Sequence, residues 1–257
     1  MRSDLTRRAG LALGLALALA GPAAAEPKEA EPKIADAPMT IAVIGGGNIG
    51  GTIGPLWAKA GHTVTFASRH PEALKPLADS AGARTGTPEE AVAASDVVFL
   101  AVPYKAYPDL SKSIGPALKG KVVLDAGNAT KARDGELFDA VQAEGIGATS
   151  AKFFPGAKLV RAFNAANYRV FAKNSAKNAA KNAAGREGGR EGGRMAIPIA
   201  GDDPQALKVA EGLVRDAGFE PLVVGGLGEA SKFAMGSPGF GHDLTAPELR
   251  AKLGLAQ

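Results

Sequence analysis

The chain has 257 residues, of which 46% are hydrophobic and 22% charged, and it contains no cysteine. That length supports one good core, as a single α/β domain or a domain with a small appendage, and the missing cysteines exclude disulfides, thiolate nucleophiles and cysteine-held metals. The formal charge of +4 falls to +2 without Met1–Ala25. Six basic and two acidic residues lie in Lys173–Arg194 alone, so the rest is near −2 and offers no general basic surface for nucleic acid.

Met1–Ala25 carries Arg7 and Arg8, an apolar run from Ala9 to Ala20, and three alanines at Ala23–Ala25. The run is too short for a hydrocarbon core of roughly 30 Å, which predicts a cleaved signal peptide and no stable membrane span after cleavage. The paired arginines resemble a twin-arginine leader, so the expected destination is the periplasm. Glu26–Pro38, rich in Pro, Ala and charge, reads as a disordered tether.

From Met39 on, short apolar runs alternate with helical stretches. Strands are expected at Thr40–Ile44, Val64–Ala67, Val97–Val102, Val122–Asp125 and Leu159–Phe163, with helices starting near Ile49, Pro71, Pro88, Lys105 or Tyr107, and Glu136. The alternation predicts a Rossmann-type, doubly wound parallel sheet over residues 39–172, its faces covered by crossover helices. After the first strand come Gly45, Gly47 and Gly50. In the dinucleotide fingerprint the first glycine makes the tight turn, the second lets the pyrophosphate approach the backbone, and the third lets helix and strand pack closely. The helix start adds unsatisfied amides and a favourable dipole.

An NAD site usually has Asp or Glu at the end of the second strand, to bind the ribose hydroxyls. Here that end, 21 residues after Gly47, offers Ser68 and Arg69, with His70 as a weaker third donor. A hydroxyl and a guanidinium suit a 2′-phosphate, and the expected cofactor is NADP.

Ala172–Arg194 repeats "AKN" three times and "REGG" twice, and reads as a low-complexity, disordered surface loop (173–194). Residues 195–257 follow as a small C-terminal α/β extension: a strand in "MAIPIAG", a helix over Asp203–Ala217, a strand in "PLVVGGLG", and a last helix opened by the capping-box pair Thr245 and Glu248. Met235–Asp243 is glycine-rich and irregular. His62, His70 and His242 are too scattered for a metal cluster, and Asp202 and Asp203 read as helix-start residues. No Ser-His-Asp set or carboxylate pair stands out, so no catalytic residue is assigned.

The segments "IGGGNIG", "ASR", "AVPYKAY", "VVLDAGNAT", "LVRAFNAAN", "IAGDDPQALKVAEGLVRDAGFEPLVVG" and "LTAPELRAKL" together resemble the coenzyme F420-dependent NADP oxidoreductase family. They are also similar to the NADPH-binding domain of membrane metalloreductases. The resemblance implies that Gly46, Gly47, Asn48 and Ile49 form the pyrophosphate loop and that Ser68 and Arg69 clamp the 2′-phosphate. It implies that Val102, Pro103 and Tyr104 border the nicotinamide ribose, with Asn128 and then Asn164 and Ala165 at the next two strand ends. It implies hydride exchange between NADPH and a flavin, deazaflavin (F420) or other small redox acceptor, and it is compatible with a homodimer. "SPGFGHD" is where the acceptor would meet the nicotinamide, without a residue-by-residue match to a deazaflavin site. Two rival readings are a small imine or β-hydroxyacid reductase, which would carry a long all-helical second domain, and a non-catalytic exported NADP-binding protein.

Overall fold

The computed structural model describes residues 37–183 and 193–256. The predicted signal peptide and nearly all of the tether lie outside the described residues.

The chain runs β1 (Thr40–Ile44), α1 (Gly50–Lys59), β2 (Thr63–Ala67), α2 (Lys75–Ala81), β3 (Arg84–Gly86), α3 (Pro88–Ala93), β4 (Val97–Leu100), α4 (Tyr107–Ser113) and β5 (Val122–Asp125). It continues through α5 (Lys131–Asp134), α6 (Glu136–Glu144), α7 (Ile146–Phe153), β6 (Lys158–Arg161), α8 (Tyr168–Ala183), β7 (Ala196–Gly201), α9 (Pro204–Asp216), β8 (Glu220–Gly225) and α10 (Ala246–Lys252). The eight strands form one sheet in the order β3-β2-β1-β4-β5-β6-β7-β8. The chain leaves β1 towards one edge and returns on its other side at β4. The crevice above this switch point is where open α/β sheets take ligands.

The central strands are unbroken apolar runs because both their faces are covered. Ile41, Val43, Phe99 and Leu124 meet Ile53, Trp57 and Phe163 on one face; Ala42, Ile44, Val98, Leu100 and Val123 meet Tyr104, Tyr107 and Phe154 on the other. On the first face Trp57 lies edge-on to Phe99 at 5.0 Å, and its Nε1 donates to Leu213 O at 2.7 Å, so the buried indole leaves no donor unmet. Gly54 brings α1 against β2, since a Cβ there would stand 2.5 Å from the Phe66 ring.

The register places Ala67, Ile44, Leu100, Asp125 and Arg161 side by side in one row across the carboxyl ends of β2, β1, β4, β5 and β6. Ser68 and Arg69 follow the first of these ends, and Val102 and Pro103 come just after the third.

Over residues 39–172 the strands pair in parallel, as expected; the extension joins with a change of direction, β7 pairing antiparallel with β6 through Val160↔Gly201 and Arg161↔Ala200, then parallel with β8. An apolar run reads the same in either direction; only the path of the connection decides. For the same reason residues 195–256 are no separate unit, since β7 and β8 extend the one sheet. Finally, the segment expected as a disordered loop from Ala172 is helical as far as Ala183. Ala and Lys favour helix, and nucleation is met by packing at the start: Phe171 is buried against Phe163 and Phe219, and Asn174 Nδ2 donates to Val170 O at 2.9 Å and reaches Met195 Sδ at 3.5 Å. Residues 184–192 of that segment lie outside the described residues. Short β3, α5 and α7 were not anticipated.

Candidate functional site: a dinucleotide crevice

The three fingerprint glycines have different reasons to be glycine. Gly45 sits at φ +101°, and a Cβ there would meet Ala101 O at 2.7 Å. At Gly50 a Cβ would fall 1.9 Å from Gly45 O, so the close seating of α1 needs it. Gly47 is not in the left-handed region, and a Cβ there would meet nothing within 4 Å. The protein has no internal use for this glycine; what it preserves is open space above the backbone. The amides of Gly47, Asn48 and Ile49 donate to no group among the described residues, and Ile49, the N-cap of α1, provides no side-chain cap. Exposed donors, a helix start and a bare backbone together form a cradle for an anion.

Beside this turn opens a cleft of about 760 Å³. Gly45, Ser68, Arg69, Val102 and Pro103, all named from the sequence, line it together with Thr87, Glu89, Lys105 and Asp109, which were not foreseen. Ser68 Oγ accepts from His70 N at 3.0 Å, which leaves its hydroxyl hydrogen to donate into the cleft. Arg69 is exposed. None of Arg69, Lys105, Glu89 and Asp109 has an ion-pair partner among the described residues. Two carboxylates do line the cleft, but Glu89 comes from the first turn of α3 and Asp109 from that of α4, while the end of β2 carries donors alone. This arrangement fits an adenine dinucleotide with a 2′-phosphate. His70 is largely exposed, 3.6 Å from Glu72, and points to no clamp.

On the far side of the switch point, Phe163 follows β6 with φ 58°, a conformation seldom adopted by a bulky residue. Its ring stays in the aromatic core, while the turn swings Asn164 and Ala165 across the strand ends. Asn128 Nδ2 donates to Asn164 O at 2.7 Å, and Asn164 Nδ2 lies 3.4 Å from Asn128 Oδ1. Asn164 is buried, and its Oδ1 has no partner among the described residues. The glycine-rich segment closes over these two strand ends: Met235 N reaches Asn128 Oδ1 at 3.5 Å, and Gly241 N donates to Ala165 O at 2.7 Å. Met235 itself is among the few exposed large apolar side chains. His242 Nε2 donates to Pro238 O at 2.9 Å, within its own loop. His62 is at the opposite end of the sheet, between Met39 N and Asp216, and is structural.

Tyr104 corrects the sequence reading. Its side chain is fully buried, stacked on Tyr107 at 4.3 Å, with its hydroxyl 3.1 Å from Ser150 Oγ, so of the three residues expected at this strand end only Val102 and Pro103 line the crevice. The chain turns inward there because Pro103 starts a 3₁₀ turn that buries the next residue. Beneath it lies what sequence reasoning missed, a buried ion pair between Asp125 and Arg161. Burial, reinforced by the Asp125 charge, pushes both phenols well above the usual tyrosine range and keeps them neutral. Burial works against the Arg161 charge, but Asp125 together with Tyr107 and Tyr104 outweighs it and holds the guanidinium more firmly protonated. The available signal was a charged residue ending each of two otherwise apolar strands, "VVLD" and "LVR". Nearby, Asp134 accepts from Lys105 N (2.9 Å) and Thr130 N (2.6 Å); these bonds and Arg133 overcome its burial and depress its pKa.

Residues 40–129 match the model of the family described as NADP oxidoreductase, coenzyme F420-dependent. The match runs from β1 to just past β5. Among solved structures, a hypothetical protein from Sinorhizobium meliloti is 26% identical with TM-score 0.63, over 80% of this chain and 95% of that one. A candidate F420-dependent NADP-reductase from Arthrobacter sp. FB24 is 21% identical with TM-score 0.62, over 80% and 99%. The 3-hydroxyisobutyrate dehydrogenase of Mycobacterium tuberculosis shares the fold at 18% identity and TM-score 0.54, and the likeness covers 58% of its length. No curated protein matches the chain. The family matched and the Arthrobacter likeness are both of NADP-dependent oxidoreductases. Among the described residues no helix is long and apolar enough to cross a membrane, and no group of three or more His, Asp or Glu is placed to hold a metal.

Proposed function

We propose that the chain binds NADP(H) across the switch point and exchanges hydride between its nicotinamide and a flat redox acceptor, a flavin, F420 or a small molecule of similar reactivity. The observation that carries this is the end of β2: a free Arg69 and a donor-poised Ser68 line the cleft beside a glycine whose only role is to leave the backbone bare. The nicotinamide supplies the hydride when bound. The chain's own residues bind and orient: the Gly47–Ile49 amides take the pyrophosphate, Ser68 and Arg69 the 2′-phosphate, and Asn128, Asn164 and the Met235 segment border the reacting end. Positioning of this kind needs no acid–base dyad. The imine and β-hydroxyacid reductase reading is disfavoured because the residues after β6 extend the sheet through β7 and β8 instead of beginning a helical domain.

The test is titration of the purified protein with NADPH and NADH, followed by NADPH oxidation with FMN, FAD, F420 or a ferric chelate. Preferential NADPH binding with turnover by one of these acceptors supports the proposal. Binding without turnover by any would favour the non-catalytic NADP-binding protein, and equal binding of NADH would refute the 2′-phosphate clamp. We further propose export with NADP already bound, since the sequence pairs a leader carrying Arg7 and Arg8 with a nucleotide site.

A further inference from the structure

Asp125 and Arg161 are register partners on β5 and β6, and both side chains are fully buried on the same face of the sheet. Asp125 Oδ1 accepts from the Tyr107 hydroxyl and, at 2.8 Å, from Gly127 N; its other oxygen faces Arg161 Nη1. Arg161 Nη2 donates to Gly127 O, and Nη1 lies 3.3 Å from Ser150 Oγ, while Nε has no partner among the described residues. Both polar groups of the Gly127 residue are therefore held from below, its N–H by the carboxylate and its C=O by the guanidinium. The residue must be glycine, because a Cβ there would stand 2.1 Å from the Tyr107 hydroxyl.

A buried ion pair with one nitrogen left unmet is a poor device for stability, since well-packed apolar residues of similar volume usually do as well or better. Its position suggests another use. The next residue, Asn128, ties the ends of β5 and β6 together and reaches the glycine-rich segment: its Nδ2 donates to the Asn164 carbonyl, and its Oδ1 lies 3.4 Å from Asn164 Nδ2 and 3.5 Å from Met235 N. Fixing the Gly127 backbone fixes where Asn128 points.

We propose that Asp125 and Arg161 are positioning residues for the nicotinamide end of the crevice, acting through the clamped Gly127 backbone on Asn128 and, through it, on Asn164 and the Met235 segment. The proposal rests on the NADP reading above. Neither charged group reaches the crevice, so the pair sets geometry and takes no part in chemistry. The adenosine half, built from Gly45–Gly50, Ser68 and Arg69 on β1 and β2, shares no hydrogen bond with this network.

That separation supplies the test. 2′,5′-ADP reads the adenosine half alone, and NADPH reads both halves. The apolar double variant Asp125→Leu/Arg161→Met is expected to bind 2′,5′-ADP within about twofold of the wild-type protein while NADPH affinity falls about tenfold, the scale of one or two lost hydrogen bonds. Gly127→Ala, which keeps both charges but crowds Tyr107, should show the same selective loss. Arg161→Lys, which retains a charge for Asp125 but not the fork that also holds Gly127, should fall between the double variant and the wild type. If both ligands weaken together in step with a lowered melting temperature, the pair is merely structural and the proposal is overturned. Unchanged NADPH affinity in the double variant and Gly127→Ala overturns it as well. Should the wild-type protein bind neither ligand, the cofactor reading itself fails and the proposal goes with it.

Discussion

Replacing Gly47 by alanine separates a glycine kept for a ligand from one kept for the fold. A Cβ at Gly47 meets no atom within 4 Å and its φ is not left-handed, so the folded protein has room for the methyl group. Stability should be unchanged or raised by about 0.4–1 kcal/mol, the usual gain from removing glycine's freedom in the unfolded chain. Gly50→Ala is the control: its Cβ would fall 1.9 Å from Gly45 O, a backbone atom that cannot swing away, and overpacking of that kind costs about 3 kcal/mol or more. For binding the expectation differs. The methyl group at Gly47 would occupy the space through which a pyrophosphate approaches the Gly47–Ile49 amides. Losing one charge-assisted bond there is worth about 1.5–3 kcal/mol, or roughly 10- to 150-fold in affinity. Thermal melts of the three proteins, with NADPH titration of each by fluorescence, make the comparison. A stable Gly47→Ala protein that binds NADPH like the wild type would refute the assignment of this space to the pyrophosphate. A Gly47→Ala protein destabilised as much as Gly50→Ala would show that the glycine serves the fold after all.

Three other outcomes are expected. Arg69→Asp should weaken NADPH by about tenfold or more while leaving NADH within a few fold, because the substitution brings a carboxylate to the end of β2, which has none; isothermal titration with both cofactors checks it, and equal weakening would remove the 2′-phosphate from this position. Asp134 has a depressed pKa, so its contribution to stability is present above the ordinary aspartate value near 4 and is lost as pH falls through the lower folded value. Asp134→Asn should therefore be less stable at neutral pH and show a shallower acid loss in melting temperature against pH; parallel curves for the two proteins would count against the linkage. Replacing Arg7 and Arg8 by Lys should retain soluble, NADP-binding protein inside the cell, as fractionation would show, and undiminished export would favour a general secretory route.

The sequence determined a good deal by itself. Strands β1, β4 and β5 were legible because burial on both faces demands nearly continuous apolar residues, and the fingerprint was legible because the tight turn at Gly45 and the close packing at Gly50 admit only glycine. Ser68 and Arg69 could be placed since they follow β2 directly, and local order along a strand survives folding. The helix starts at Asp203 and Thr245 were readable for the same reason, as capping is a local matter; Asp203 accepts from Ala206 N at 2.8 Å, and Thr245 and Glu248 form the capping box. What the sequence could not decide was anything set by register or direction between distant segments. Val160 meets Gly201 in an antiparallel pair, Asp125 stands beside Arg161, and Met235 N reaches Asn128 across 107 residues of chain. Tyr104 was misplaced because its sequence position beside the crevice does not say which way the backbone turns. The fingerprint gave Gly47 its expected role, but only the structure shows the space above it empty of protein, for a glycine that serves the fold and one that serves a ligand are spelled alike.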